Sequence, residues 1–100
     1  MIAEDIMRLR QQEVKVLKET LYKLSSQAKL YLFGSRVDDT KKGGDIDLLV
    51  VSQDFDREKL RKLRLEFFKY FGEQKLDIVV DDGKFEDPFH KLILKKAIIL

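Results

Sequence analysis

The sequence contains no cysteine and a single proline, and none of its apolar runs is long enough to cross a bilayer. The absence of cysteine excludes disulfides, thiolate zinc sites and cysteine nucleophiles. The 20 basic and 18 acidic side chains nearly cancel, which argues against dedicated nucleic-acid binding. The N-terminus, residues 1–5, is acidic and unlike a secretory signal. We therefore expect a soluble protein of the cytoplasm that does not enter a membrane.

What the chain does contain is enough apolar residue content for one core. It has 100 residues, of which 44% are hydrophobic and 38% are charged. A chain of this length forms one ordinary domain and is too short for two cores. We predict a single domain over residues 1–100.

Apolar periodicity predicts helices that alternate with strands. Steps of three and four residues indicate helices, whereas short apolar runs bounded by polar residues and glycine indicate strands. The predicted elements are a helix over 2–26 that is bent or divided near 11–13, a strand over 28–33, a polar loop over 37–44, a strand over 45–51, a helix over 54–72, a strand over 75–80 and a last helix from Pro88. This order indicates the α/β (α+β) class.

The order of elements also constrains the sheet. A helix connects the second and third strands, so these two strands are predicted to be parallel, with a right-handed crossover. The first strand ends at Gly34 and the second begins at Asp45. Residues that follow the first strand can lie beside Asp45 only if the first two strands are antiparallel. The prediction is a small mixed sheet flanked by helices.

Two carboxylates stand at the start of the second strand, in the segment Asp45-Ile46-Asp47. Residues two apart on a strand point to the same face. Carboxylates this close repel each other unless a cation lies between them, and their hard oxygen atoms suit Mg²⁺ or Mn²⁺. Such a pair can bridge two metal ions. We predict that Asp45 and Asp47 bind metal.

A turn suited to phosphate follows the first strand, in the segment Gly34-Ser35-Arg36. Glycine allows a ligand to approach the backbone, and the next amide groups and the Ser35 hydroxyl can donate to phosphate oxygens. Arg36 can add a charge-assisted contact to the same phosphates. These three residues are the predicted nucleotide-binding residues.

A third carboxylate, Asp77, begins the third strand in a segment that echoes the one around Asp47. If the two strands are parallel neighbours, Asp47 and Asp77 lie at the same level of the sheet. Three carboxylates and a phosphate-binding turn at one sheet edge are suited to transferring a nucleotidyl group from a metal-bound triphosphate.

The motif resembles the signature of the polymerase-beta-like nucleotidyltransferase superfamily. Gly34-Ser35, nine further residues and then Asp45-Ile46-Asp47 match that signature. The short chain and the form GSR…GGDIDLLV look like its minimal nucleotidyltransferase (MNT) branch, although Gly44 stands where the family often has serine. The resemblance implies the family's fold.

The resemblance also implies roles and partners. It implies that Gly34 and Ser35 hold the phosphates of ATP, that Asp45 and Asp47 bind Mg²⁺, and that Asp77 completes the metal site and activates the attacking hydroxyl. The MNT branch often acts as the antitoxin of a HEPN-domain ribonuclease toxin, and members transfer AMP to a tyrosine of that toxin. A HEPN-domain partner and a homodimer are therefore expectations for this chain.

Three other interpretations stay open. The carboxylates beside Gly43-Gly44 can be a solvated strand end with no chemistry. The same fold can act as an antitoxin by binding alone, without catalysis. It can also transfer the nucleotidyl group to a small molecule such as an aminoglycoside. The lone His90 is interpreted as a surface or half-buried side chain rather than a base.

Overall fold

A computed structural model of the chain describes residues 11–34 and 46–100. The predicted loop over 37–44 and the first turns of the predicted helix over 2–26 lie outside the described residues. In chain order the elements are α1 (Gln11–Leu24), β1 (Lys29–Phe33), β2 (Ile46–Val51), α2 (Arg57–Phe71), β3 (Leu76–Asp81), α3 (Pro88–Lys96) and β4 (Ile98–Ile99). The predicted order is confirmed, with one strand added at the end.

The four strands form one mixed sheet in the order β3-β2-β1-β4. As predicted, β1 and β2 are antiparallel and β2 and β3 are parallel. The added strand β4 pairs antiparallel with the free edge of β1, where Ile98 lies opposite Leu32. The sequence analysis predicts no strand after the last helix, so β4 is an addition that the structure reveals.

Helices α2 and α3 both begin at an aspartate cap, and α2 ends at a glycine. The carboxylate of Asp56 accepts a hydrogen bond from the Lys59 amide at the start of α2, and Gly72, with φ of 83°, ends that helix. Asp87 caps α3 by accepting from the Phe89 amide, and Pro88 takes the first helical position.

The main core lies between one face of the sheet and the helices α1 and α2. Alternate residues of β2, namely Ile46, Leu48 and Val50, are fully buried on this face. Leu63 and Phe67 of α2 are equally buried. Other members of this core are Leu17, Leu21, Ala28, Leu30, Leu32, Phe55 and Leu76.

The opposite face of the sheet carries Asp47, Leu49 and Val51 from β2. Helix α3 packs against β1. Both Leu49 and Ile93 of α3 are buried, yet neither belongs to the main core. We infer that α3 covers the middle of this second face. None of the helices in the described ranges is long and apolar enough to span a membrane.

Candidate active site

Two of the three predicted carboxylates lie side by side on the sheet. Asp47 of β2 pairs in register with Asp77 of the parallel strand β3. Neighbouring strands are about 4.8 Å apart, and residues in register share a face. Asp47 is half-buried and Asp77 is exposed. The prediction that they lie at one level of the sheet is confirmed.

Gly34 lies against the first of these carboxylates. Strand β1 ends at Phe33, which is opposite Asp47 in the antiparallel register. Gly34 follows with φ of 80°, in the left-handed region that favours glycine. A Cβ atom added to Gly34 would overlap the Asp47 carboxylate. The turn after β1 thus touches the carboxylate directly because residue 34 has no side chain.

The structure therefore brings together three of the six predicted site residues, namely Gly34, Asp47 and Asp77. The other three, Ser35, Arg36 and Asp45, lie outside the described residues. Gly34, Asp47 and Asp77 lie at one end of the strands, which we call the Gly34 end of the sheet. The catalytic and binding roles of all six residues stay predictions.

The donor chemistry of the Gly34 end suits a hard divalent cation. Asp47 and Asp77 provide carboxylate oxygens from adjacent positions, which are the ligands that Mg²⁺ and Mn²⁺ prefer. Within ranges 11–34 and 46–100, no group of three or more histidine or acidic side chains could hold a metal ion. The predicted third ligand, Asp45, falls between those ranges. The two described carboxylates fit part of a metal site.

Val51 and Asp81 pair at the opposite end of the strands, which we call the Asp81 end of the sheet. The Asp81 carboxylate is 5% exposed, and its Oδ2 lies 2.7 Å from Nδ1 of His90. Its Oδ1 accepts hydrogen bonds from the amides of Gly83 and Phe85. Asp81 thereby fixes the turn after β3 and the start of α3.

Burial raises the pKa of Asp81. The hydrogen bonds from His90, Gly83 and Phe85 together lower it by more than burial raises it, so the pKa lies below its usual value. The side chain of His90 is 17% exposed. Its Nε2 lies 3.6 Å from Oδ2 of Asp87, so His90 stands between two carboxylates. The interpretation of His90 as half-buried is confirmed. Its link to Asp81 has no signal in the sequence.

A second polar cluster at the Asp81 end joins three elements. The hydroxyls of Ser25 and Ser52 lie 2.7 and 2.8 Å from Oδ1 of Asp54. Lys59 donates from Nζ to Oδ2 of the same carboxylate at 3.2 Å. Hydrogen bonds from Ser25, Ser52 and Lys59, in that order of effect, lower the pKa of Asp54 to about 2. The cluster fastens the chain after α1 to the chain after β2.

Two open clefts, of about 510 and about 410 Å³, also lie at the Asp81 end. Both are lined by Ser52, Gln53 and Asp82. Among the acidic side chains that line them, Asp54 and Asp81 are bound to partners within the fold. We therefore interpret the polar groups of the Asp81 end as structural, whereas the predicted chemistry lies at the Gly34 end.

Comparison with known proteins identifies one family. The sequence model of the family described as "Nucleotidyltransferase domain" matches residues 14–100. This range contains the whole sheet, the helices α2 and α3, and all six predicted site residues. No curated protein matches the chain closely enough to be reported as a relative.

Proposed function

The chain belongs to the nucleotidyltransferase domain family, and on that premise we propose that it transfers a nucleoside monophosphate from a triphosphate to an acceptor hydroxyl. The observation that carries the proposal is the alignment of Asp47 with Asp77 beside the Gly34 turn. AMP from ATP is the proposed donor reaction, with Mg²⁺ or Mn²⁺ as the cofactor.

The proposed roles of the residues are those that the motif and the family resemblance imply. The backbone at Gly34, the Ser35 hydroxyl and the Arg36 guanidinium bind the phosphates of the nucleotide. The carboxylates of Asp45, Asp47 and Asp77 would hold two divalent metal ions. When bound, such ions would supply positive charge that offsets the charge of the triphosphate and of the departing pyrophosphate.

Asp77 is proposed to act on the acceptor. It lies on β3, the edge strand of the sheet, and it is exposed, so an acceptor hydroxyl can approach it from the open side. The hydroxyl oxygen forms a bond to the α-phosphorus, the bond from the α-phosphorus to the bridging oxygen breaks, and pyrophosphate leaves. The carboxylate of Asp77 orients the hydroxyl and accepts its proton.

The proposed acceptor is a HEPN-domain toxin, which the chain would neutralise as an MNT antitoxin. This part of the proposal is supported by the resemblance of the segments around Gly34 and Asp45 to the MNT branch. The open position of Asp77 is compatible with an acceptor as large as a protein.

The test is incubation of the purified chain with Mg²⁺, α-phosphate-labelled ATP and a HEPN-domain protein from the same genome. We expect label on the HEPN protein, release of pyrophosphate, and a mass increase of one AMP group. The double variant Asp47→Asn/Asp77→Asn serves as the matched control and should give no label. Parallel reactions with the other triphosphates test the donor.

Three outcomes decide between the alternatives. Complex formation with the HEPN protein but no labelling under any condition would identify a non-catalytic antitoxin. Labelling of an aminoglycoside instead of the protein would identify small-molecule transfer. Absence of both triphosphate binding and labelling would contradict the proposed function itself.

A further inference from the structure

Arg64 of α2 binds the backbone at the start of β3. Its Nη2 donates a hydrogen bond to the carbonyl oxygen of Leu76 at 2.8 Å. Leu76 is 4% exposed and is the residue directly before Asp77. The bond therefore ends on the peptide group that joins Leu76 to Asp77, at the Gly34 end of the sheet.

The direction of this carbonyl explains why its partner comes from outside the sheet. The Lys75 carbonyl accepts a hydrogen bond from the Ile46 amide, so it faces β2. Backbone groups alternate in direction along a strand, so the Leu76 carbonyl points away from β2. Strand β3 is an edge strand, and within ranges 11–34 and 46–100 no further strand lies on that side. Arg64 thus provides the donor that a neighbouring strand would otherwise provide.

The same alternation holds the other side of that peptide group. In a trans peptide the amide of Asp77 points opposite to the carbonyl of Leu76, so this amide faces β2. Leu76 is level with Ile46 in the parallel register, and the parallel pattern then gives the Asp77 amide the Ile46 carbonyl as its acceptor. The peptide group before Asp77 is consequently bound to α2 on one side and to β2 on the other.

The orientation of the Asp77 carboxylate depends on this peptide group. Asp77 is exposed, and its side chain makes no hydrogen bond or ion pair within the described residues. Within that part of the chain, the backbone is therefore what directs the side chain. A rotation of the peptide group would tilt the Cα–Cβ bond of Asp77 and move its carboxylate relative to Asp47, its neighbour in register. A displacement of about 1 Å at a reacting group can slow a reaction about a hundredfold.

The chemistry of Arg64 suits this task. Its guanidinium is half-buried and makes no other hydrogen bond or ion pair with the residues that the structure describes. A hydrogen bond from a charged donor is stronger than one between neutral groups. We infer that Arg64 is a positioning residue, which orients Asp77 toward the acceptor hydroxyl by holding the peptide group between Leu76 and Asp77. This inference rests on the proposed function, because it assumes that Asp77 acts on the acceptor.

Arg61, three residues earlier on α2, offers a matched control. It has the same side chain, is exposed, and makes no side-chain hydrogen bond or ion pair within the described part of the chain. Replacement of either arginine by methionine removes the guanidinium and keeps an unbranched apolar side chain. Arg64→Lys instead keeps a cationic donor on a long stem, so it tests whether the hydrogen bond is what matters.

The test compares the unaltered protein with Arg64→Met, Arg64→Lys and Arg61→Met. It measures hydrogen exchange of the Asp77 amide by nuclear magnetic resonance, the Kd for Mg²⁺-ATP by calorimetry, and the rate of AMP transfer to the HEPN-domain protein. We expect Arg64→Met to speed the exchange and to slow the transfer, each about tenfold, because a hydrogen bond from a charged donor is lost. Its Kd should change less than about twofold, because Asp77 acts on the acceptor. Arg64→Lys should restore most of both losses, and Arg61→Met should change neither rate.

Three results would overturn the inference. Unchanged transfer in Arg64→Met, or an equal loss in Arg61→Met, would remove the positioning role while the proposed function stands. Equal losses of transfer and of Mg²⁺-ATP affinity in Arg64→Met would assign Arg64 to the stability of the fold alone. Failure of the unaltered protein to transfer AMP in the presence of Mg²⁺ or Mn²⁺ would overturn the proposed function and this inference together.

Discussion

The aspartates at the two ends of the sheet differ in their hydrogen bonding. At the Asp81 end, Asp54 and Asp81 accept hydrogen bonds from serine, lysine, histidine and backbone groups, and the pKa of each is lowered. At the Gly34 end, Asp77 is exposed, its side chain makes no hydrogen bond or ion pair within the described residues, and its neighbour in register is another carboxylate, Asp47. Carboxylates placed side by side oppose folding unless a cation joins them. We attribute the contrast to different roles: Asp54 and Asp81 stabilise the fold, whereas Asp47 and Asp77 are proposed to bind a ligand.

The largest expected effect comes from neutralising the paired carboxylates. Asp47→Asn and Asp77→Asn should each reduce nucleotidyl transfer by about a thousandfold or more, because each removes a predicted metal ligand. The melting temperature of Asp77→Asn should stay equal or rise, since repulsion between the two carboxylates is relieved. Pyrophosphate release and thermal melting measure the two effects.

The control for this pair lies at the other end of the sheet. Asp54→Asn should lower the melting temperature and leave transfer within about twofold, because Asp54 serves the fold. Loss of transfer in Asp54→Asn, or full activity in either Asp47→Asn or Asp77→Asn, would break the comparison between the ends.

The two carboxylates of the Gly34 end should also differ from each other. Asp47→Asn should lose both Mg²⁺-ATP binding and transfer, as should Asp45→Asn. Asp77→Asn should keep nucleotide binding within a few-fold while losing transfer, because its role is to orient and deprotonate the acceptor. Calorimetry on the three variants tests this division, and equal loss of binding in all three would leave Asp77 as a metal ligand only.

A pair of glycine substitutions sharpens the same contrast with a smaller effect. Gly34 and Gly72 have nearly equal positive φ angles, 80° and 83°, but a Cβ atom meets the Asp47 carboxylate at Gly34 and nothing within 4 Å at Gly72. Gly34→Ala and Gly72→Ala should each cost roughly 1–3 kcal/mol in backbone strain at the positive φ, and Gly34→Ala adds the overlap with the Asp47 carboxylate. Only Gly34→Ala should reduce transfer, by about a hundredfold, through displacement of the Asp47 carboxylate.

Urea unfolding and initial transfer rates measure this pair. Equal transfer activity in the two glycine variants would show that the contact between Gly34 and Asp47 has no part in the reaction.

Truncation of the buried Asp81 tests whether the Asp81 end stabilises the fold. Asp81→Ala should lower the free energy of unfolding by about 2 kcal/mol, because it leaves His90 and the amides of Gly83 and Phe85 without their acceptor. Urea unfolding measures the change. The matched exposed variant Asp82→Ala should cost less than half as much, and an equal cost would deny Asp81 its structural role.

Acid should lower the free energy of unfolding that Asp54 and Asp81 contribute at the Asp81 end. The pKa of Asp54 falls from its ordinary value of 3.8 to about 2 in the fold, and that of Asp81 is also lowered. The unfolded chain therefore binds more protons than the folded chain as the pH falls. The stabilisation is present above about pH 4 and is lost progressively toward about pH 2. Urea midpoints at neutral pH, about pH 4 and about pH 2 should show this loss, and Asp54→Asn should make it shallower.

Sequence reasoning succeeded where local chemistry determines structure. The start of the last helix at Pro88 follows from local chemistry, and the shared level of Asp47 and Asp77 follows from the crossover rule. The strand β4 was missed because two residues give no periodic signal and its pairing with β1 is a tertiary contact.

The polar clusters of the Asp81 end could not be predicted for a similar reason. Ser25 and Asp54 are 29 residues apart, and nothing in either segment specifies that they meet. The pairing of Asp81 with His90 depends on how α3 packs across the sheet. At the Gly34 end, by contrast, the motif places the aspartates at the starts of two strands. The parallel order of these strands then predicts that Asp47 and Asp77 lie side by side.

The most direct test of the account is to locate the metal–nucleotide complex on the sheet. The measurement is the selective broadening of backbone amide resonances by Mn²⁺ in the presence of ATP, followed by nuclear magnetic resonance. The account predicts that Gly34, Asp47 and Asp77 broaden first, whereas Ser52 and Asp81 stay sharp at the same Mn²⁺ concentration. Broadening that begins at the Asp81 end, or that is equal at both ends, would contradict the assignment of the nucleotide site to the Gly34 end.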